Sequence, residues 1–327
     1  MRPSRLLVVV LAGLTAGTVA HAQVPAGKVF RVGITQIVSH PVLDAQRSAF
    51  VDEMKKQGFE DGKNVRYDVQ IAQNDQTLSK TIADKFVADR VDLIFTLSTP
   101  SMQAAVRATR DSAIPVVFVA VTDPVSAGVL ASVDRPSGTN VTGVYNFDPV
   151  EAQMELAREL RPGIKTLGVI YNAGESNSVA NVKILKGVTQ KLGWSLVEAT
   201  VTSTADVRTA AQSLVGRVDA AYMPTDNTVM AGLEALLRVV REARLPLVTG
   251  DVSSVQRGAL GAVGDDPDDK GRQAATLAAR ILRGTKPGEI KPEIVRKRLL
   301  YLNRTTARAV GITLPDGLLQ RAAKVFD

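Results

Sequence analysis

The sequence predicts an α/β protein of two doubly wound parallel-sheet lobes. Short apolar runs of strand type alternate with segments of helical periodicity, and this alternation occurs twice, over residues 31–121 and 166–251. Strands that alternate with helices form parallel sheets covered on both faces. The stretch between the two series, 131–149, is rich in turn formers. The chain is therefore expected to build one fold plan twice, with a crossover near 143–147.

The first series gives four strands and three helices. The segment 40–57 predicts a helix because its apolar residues recur on one face, and Gly58 follows as a helix cap. The predicted strands are 31–36, 65–72, 91–98 and 114–121, and the other helices are 76–89 and 100–110.

The second series repeats the plan and adds a tail that passes back to the first lobe and returns to the second. Its predicted strands are 166–172, 195–201, 219–224 and 245–251, and its helices are 149–160, 177–192, 204–216 and 228–243. In the tail we expect a strand at 259–266, a helix at 267–284, a linker at 284–289 and a strand at 293–303. The expected first lobe is 28–143 with about 259–284, and the second is 147–256 with about 290–327.

The N-terminal stretch has the layout of a secretory signal peptide. Arg2 and Arg5 precede the apolar run 6–14, and Ala20-His21-Ala22 fits a small-x-small cleavage site. We expect residues 1–22 to be removed and the mature protein to act in the periplasm. The alternative is a retained membrane anchor, for which the apolar run is short.

Composition argues against several classes of function. The 327-residue chain has no cysteine, and the expected mature part has one histidine, His40, which excludes cysteine nucleophiles and His-rich metal sites. The motifs of nucleotide-binding proteins, zinc proteases and serine hydrolases are missing. The net charge is +7, but only 291–304 is dense in basic residues and aromatic residues are 4%. We therefore expect a solvated basic face, no nucleic acid, no metal, no cofactor and no enzyme activity.

Polar residues follow several predicted strands, at the edge where parallel α/β sheets bind ligands. Thr99 and Pro100 are suited to begin a helix whose free N–H groups favour a carboxylate. Glu175 and Asp226 in the other lobe are candidates for an ammonium partner, a division that suits a zwitterion. The alternative is that each polar residue only caps a helix. The candidate ligand-binding residues are Gln36, Ser98, Thr99, Thr122, Asp123, Tyr145, Asn172, Glu175, Asn177, Ser178, Asp226 and Asp251.

The chain resembles the TrpX-like substrate-binding proteins of ABC transporters, which are type I periplasmic binding proteins. The resemblance covers nearly all of residues 30–325 and includes the segments GITQIVSHPVLDAQRSAFVDEMKKQGFEDGKNV, TLSTPS, VTDPV, GVIYNAGESNSVANV and DDPDDKGRQAATLAARILRGTKP. It implies three hinge crossings and a ligand enclosed between the lobes, with aromatic amino acids as ligands of characterised relatives. The positions that match the family's cleft motifs are Ser98–Thr99, Thr122–Asp123, Glu175–Ser178 and Asp226. The chain lacks the cysteine that anchors lipoprotein members of the family.

These observations lead to a periplasmic solute-binding protein of an ABC importer. It is expected to bind a small amino-acid-like ligand, to close about its hinge and to deliver the ligand to membrane permease subunits, acting as a monomer. Two alternatives stay open: an exported protein that passes its ligand state to a receptor, and a secreted hydrolase.

Overall fold

The computed structural model describes residues 27–295 and 297–327, so the expected signal peptide lies outside the described residues. One parallel sheet of six strands forms the centre of the first lobe, in the order β11-β5-β4-β3-β1-β2. Its strands are β1 (Phe30–Gln36), β2 (Val65–Ile71), β3 (Leu93–Leu97), β4 (Val116–Val121), β5 (Val141–Tyr145) and β11 (Glu293–Ile294). The helices that cover it are α1 (Pro41–Lys56), α2 (Gln76–Ala88), α3 (Thr99–Ala108) and α10 (Pro267–Leu282).

The second lobe has a sheet of seven strands in the order β13-β12-β10-β9-β8-β6-β7, parallel except where β10 meets β12. Its strands are β6 (Thr166–Asn172), β7 (Ser195–Val201), β8 (Ala220–Met223), β9 (Leu247–Thr249), β10 (Gly261–Asp265), β12 (Arg298–Asn303) and β13 (Lys324–Phe326). Its helices are α4 (Val150–Leu160), α5 (Ser176–Leu192), α6 (Val207–Leu214), α7 (Asn227–Ala231), α8 (Leu233–Glu242), α9 (Ser253–Arg257), α11 (Arg304–Ala309) and α12 (Asp316–Arg321). The predicted class, two doubly wound lobes, is confirmed.

The chain crosses between the lobes three times: after β5, between β10 and α10, and between β11 and β12. The expected lobe limits place two strands in the wrong sheet. β10 lies in the second sheet, although 259–284 was expected in the first lobe, and β11 lies in the first sheet, although 290–327 was expected in the second. Both crossings come immediately after a strand. The sequence of an apolar strand does not indicate which of the two sheets the strand will join.

Two predicted elements are each divided in the structure. The helix expected over 228–243 is interrupted at Gly232, where a Cβ atom would lie 2.8 Å from the side chain of Val207, the first residue of α6. Helices α7 and α8 therefore meet at a close contact with the beginning of α6. The strand expected over 293–303 is two strands, because its first two residues pair with β5 and residues 298–302 pair with β10.

The first lobe holds α10 through a tight contact with α1. A Cβ at Gly271 would lie 2.2 Å from the backbone oxygen of Gln46, so only glycine permits this approach of the two helices. Below them Phe50 stacks on Phe95 with ring centroids 3.8 Å apart. Among the described residues, no helix combines the length and apolarity needed to cross a membrane.

Candidate functional site

The carboxyl ends of both sheets face a cleft between the lobes, which contains two cavities. Side chains of both lobes also join directly across it: Asn74 donates to Thr228 at 2.9 Å, and Gln76 donates to the Gly174 carbonyl at 3.4 Å. The first cavity is lined by His40, Val42, Leu43, Gln46, Ala120, Thr122, Asn146, Asp148, Asn177, Met223–Asn227, Met230, Gly250–Val252, Asp265, Pro267 and Lys270. The second is lined by Ile37, Asn74, Gln76, Pro100, Asn172–Glu175 and Thr200–Thr202.

Buried hydroxyl groups cluster where β3 passes into α3. Ser98, Thr99 and Ser101 are each at most 1% exposed, and none of their hydroxyls has a hydrogen-bond partner among the described residues. Ser98 has φ 89°, a conformation that costs a non-glycine residue of the order of 1–3 kcal/mol. The first turn of a helix also leaves backbone N–H groups without intrahelical acceptors. This end of α3, which packs against α5 of the other lobe, therefore presents several donors in a dry environment.

Strand β4 ends in an irregularity that shapes the cleft wall. Its register with β5 shifts between Phe118 and Val121, and Ala120 has φ 56°. Such a bulge redirects the residues that follow it. Ala120 and Thr122 both line the first cavity. Asp123 instead turns onto its own loop, where it accepts hydrogen bonds from the backbone of Val125 and Ser126 at 3.0 Å.

Asp226 is the N-cap of α7 and is 2% exposed. Its carboxylate accepts hydrogen bonds from Val229 N at 2.7 Å, Asn172 N at 2.6 Å and the Ser178 hydroxyl at 2.6 Å. Burial and the negative charge of Glu175 raise the pKa of Asp226 to about 7, against the effect of these hydrogen bonds. Asp226 thus fastens the beginning of α7 to β6 and α5.

Glu175 binds the first turn of the same helix, α7, and its side chain makes no capping hydrogen bond to α5. It precedes α5 and is 2% exposed, and its two oxygens accept from the backbone and side chains of Asn227 and Thr228 and from the Asn177 amide. Both carboxylates are therefore engaged by the protein in the capping role that the sequence left open. That either one pairs with a ligand ammonium group stays a prediction.

Two other carboxylates line the first cavity with fewer protein partners. The Asp251 carboxylate accepts a hydrogen bond from Ser253 N at 2.8 Å, through Oδ1. Asp148 accepts from the amides of Asn146 at 3.0 Å and Asn181 at 2.5 Å. Asp148 was not among the sequence candidates. Its signal was its place directly after the expected crossover, in the segment NFDP.

The structure brings some of the sequence candidates to the cavities and not others. Thr122, Asn177, Asp226 and Asp251 line the first cavity, and Asn172 and Glu175 line the second. Gln36 binds Val38 O, Asp44 and Arg47 instead, which braces β1 against α1. The residues outside both linings are Gln36, Ser98, Thr99, Asp123, Tyr145 and Ser178.

Charged and titratable groups at the first cavity include His40 and Lys270. Burial lowers the pKa of His40, so the neutral imidazole is favoured there. Burial also lowers the pKa of Lys270, whose ammonium lies 3.1 Å from Asp265. Asp265 pairs with Arg298 as well, and Arg298 donates to the Phe147 carbonyl at 2.6 Å. These contacts connect the three interlobe crossings, since Phe147 follows β5, Asp265 ends β10 and Arg298 begins β12.

The described residues contain no group of three or more His, Cys, Asp or Glu side chains placed to hold a metal ion. The cleft is instead built from hydroxyls, amides and single carboxylates around an apolar wall. Such a set suits reversible binding of a small polar or zwitterionic solute.

Comparison with known proteins gives one consistent family. A family model described as ABC transporter substrate binding protein matches residues 31–326. A tyrosine-binding protein of Clostridioides difficile is 38% identical over 279 residues, which is 85% of this chain and 80% of that protein.

Two solved structures, one ligand-bound and one ligand-free, allow the overall arrangement of this chain to be compared. A Streptococcus pneumoniae ABC domain in complex with L-Trp is 29% identical, covers 91% of this chain and 100% of its own, and has a TM-score of 0.87. The ligand-free, open structure of a substrate-binding protein with adhesive properties from Clostridium difficile is 37% identical, with coverage of 91% and 99%, but its TM-score is 0.67. The structure of this chain therefore superposes better on the less identical, ligand-bound relative than on the ligand-free, open one.

Proposed function

The chain belongs to the family of ABC transporter substrate-binding proteins, and on that premise we propose that it binds an aromatic L-amino acid between its lobes and delivers it to a membrane permease. The family consists of binding proteins rather than enzymes. Proteins of this class act outside the cytoplasm, and the signal-peptide layout of residues 1–22 supports a periplasmic location.

The observation that carries the proposal is the set of unpartnered hydroxyls at the start of α3. Ser98, Thr99 and Ser101 are buried, yet their oxygens meet no protein partner among the described residues. A buried hydroxyl without a hydrogen bond costs of the order of 1–3 kcal/mol, so such groups are kept where a ligand engages them. Hydroxyls and N–H groups at a helix N-terminus favour an anion. Ser98 and Thr99 lie outside both cavity linings, but Pro100, between Thr99 and Ser101, lines the second cavity, so we assign the ligand carboxylate to the end of the cleft at the start of α3.

The ammonium group of the ligand is assigned to the side of the cleft that carries Asp148 and Asp251. Each carboxylate can accept further hydrogen bonds, since an ionised carboxylate offers about four acceptor positions and the contacts above use two at Asp148 and one at Asp251. Asp226 and Glu175 contribute by holding the helices that form this wall. Leu43, Met223 and Met230 provide the apolar surface that an aromatic side chain requires.

Calorimetry on protein refolded from denaturant, to remove any co-purified solute, tests the binding. L-Tyrosine and L-tryptophan are expected to bind with micromolar or lower Kd. Tyramine, which lacks the carboxylate, and 3-(4-hydroxyphenyl)propionate, which lacks the ammonium group, are expected to bind at least about 100-fold more weakly. Tyramine leaves the buried donors at the start of α3 without their anion, and the propionate leaves the buried carboxylates without their cation. Equal binding of tyramine and tyrosine would contradict the assigned carboxylate site.

Delivery to a permease needs a separate experiment in the native host. Deletion of this chain should abolish high-affinity uptake of the radiolabelled amino acid that calorimetry identifies, and re-expression should restore it. Unchanged uptake together with a lost transcriptional response to the ligand would favour the sensing role instead.

A further inference from the structure

One face of α1 is turned toward the first cavity. His40 caps this helix, and Leu43 and Gln46 follow at intervals of three residues, a spacing that places side chains on one helix face. All three line the cavity. Gln46 is the third of them, one turn beyond Leu43, and its amide is a polar group next to the apolar Leu43 side chain on this helix face.

Gln46 is 1% exposed, and its Oε1 has no hydrogen-bond donor among the described residues. Its neighbours in the wall do not supply one. Leu43, Met223 and Met230, which line the same cavity, are apolar, and the Lys270 ammonium, which lies 3.1 Å from Asp265, makes no hydrogen bond to Gln46 Oε1. Leaving a buried amide oxygen without a donor is unfavourable. An apolar side chain of the same length would avoid that penalty if packing were the only role of this position.

We propose that Gln46 is a specificity-determining residue that accepts a hydrogen bond from the polar tip of the ligand's side chain. This inference rests on the proposed function and refines it. The ligand class is then an aromatic amino acid whose ring carries a hydrogen-bond donor, such as a phenol O–H or an indole N–H. Phenylalanine fills the same apolar wall but leaves Gln46 unpaired, and sites built around a substrate donor reject the analogue that lacks it.

Gln153 offers a matched control. It is also a fully buried glutamine, but its amide is satisfied, since Nε2 donates to Val263 O at 2.9 Å and Oε1 accepts from the Tyr222 hydroxyl at 2.5 Å. Gln153→Met should lower the melting temperature and leave the relative affinities of ligands unchanged. Gln46→Met, which removes an unpartnered atom from a ligand cavity, should have the opposite pattern.

The experiment is calorimetry of L-tyrosine, L-tryptophan and L-phenylalanine with the wild type, Gln46→Met, Gln46→Leu and Gln153→Met. In the wild type at least one of tyrosine and tryptophan should bind tenfold or more tightly than phenylalanine, and in both Gln46 variants that ratio should fall to within about twofold. If the Gln46 variants lose affinity for tyrosine, the donor is the phenol O–H. If they lose affinity for tryptophan, the donor is the indole N–H.

An unchanged ratio in the Gln46 variants, or a wild type that binds phenylalanine equally well, overturns the role of Gln46 and leaves the proposed function standing. A wild type that binds none of the three amino acids overturns both.

Discussion

The substitution Thr99→Val tests whether the Thr99 hydroxyl binds the ligand or stabilises the fold. Thr99 is 1% exposed and its hydroxyl is unpartnered, so exchanging that hydroxyl for a methyl group removes no protein hydrogen bond. The free energy of unfolding of the ligand-free protein should stay the same or rise by up to about 1 kcal/mol, because a buried polar atom without a partner is removed.

The same substitution should weaken ligand binding. A hydrogen bond to a charged group contributes about 1.5–3 kcal/mol, and each 1.4 kcal/mol is tenfold in Kd. The backbone N–H groups of α3 remain in the variant, so we expect the lower end, an increase in Kd of about tenfold.

Thr109→Val is the matched control. Thr109 is also fully buried, but its hydroxyl donates to Ala105 O at 2.9 Å and accepts from Asn140 at 3.0 Å. Here the same substitution should destabilise the protein by about 1–2 kcal/mol and leave Kd unchanged. Urea unfolding without ligand gives the stabilities, and calorimetry with the cognate amino acid gives the affinities. Wild-type affinity in Thr99→Val, or a loss of stability equal to that of Thr109→Val, would refute the placement of the carboxylate.

Three further predictions concern closure and pH. Asn74→Ala removes the 2.9 Å hydrogen bond to Thr228 across the cleft and should raise Kd about 2- to 10-fold with little change in ligand-free stability; an unchanged Kd would mean that the contact does not favour closure. Saturating ligand should reduce the radius of gyration in X-ray scattering and raise Tm, with about 2.7 kcal/mol of stabilisation at a hundredfold excess over Kd; an identical radius in both states would exclude a hinge motion. Asp226 has its pKa raised from 3.8 to about 7, so the folded state holds this proton more tightly than the unfolded state and the contribution to stability falls as pH rises from about 4 through 7. Asp226→Asn should flatten that part of the stability profile in urea unfolding at a series of pH values, and parallel profiles would contradict the raised pKa.

The cleft shows which features of a site the sequence pattern can predict and which it cannot. The turns after the strands predicted that Thr122, Asn177, Asp226 and Asp251 lie at the cleft, and all four line the first cavity, because the carboxyl edge of a parallel sheet is fixed by strand direction. The same patterns did not distinguish Asp226, whose carboxylate accepts three hydrogen bonds, from Asp251, whose carboxylate accepts one from Ser253 N. An aspartate before a helix has one sequence signature for both roles.

The sequence by itself determined the two-lobed α/β class, the strand–helix alternation of the two repeated series, and the donors at the start of α3, since these follow from local periodicity and capping. It did not predict β5, which lies inside the turn-rich stretch 131–149. Only the tertiary structure decided which sheet receives β10 and β11, that Gln46 faces the cavity, and that Gly271 allows α10 to pack on α1. The physical reason is the distance along the sequence over which the interactions act. Periodicity and caps act within a few residues along the chain, whereas sheet membership and cavity walls are set by contacts between segments that are far apart in sequence, and these form only when the lobes pack.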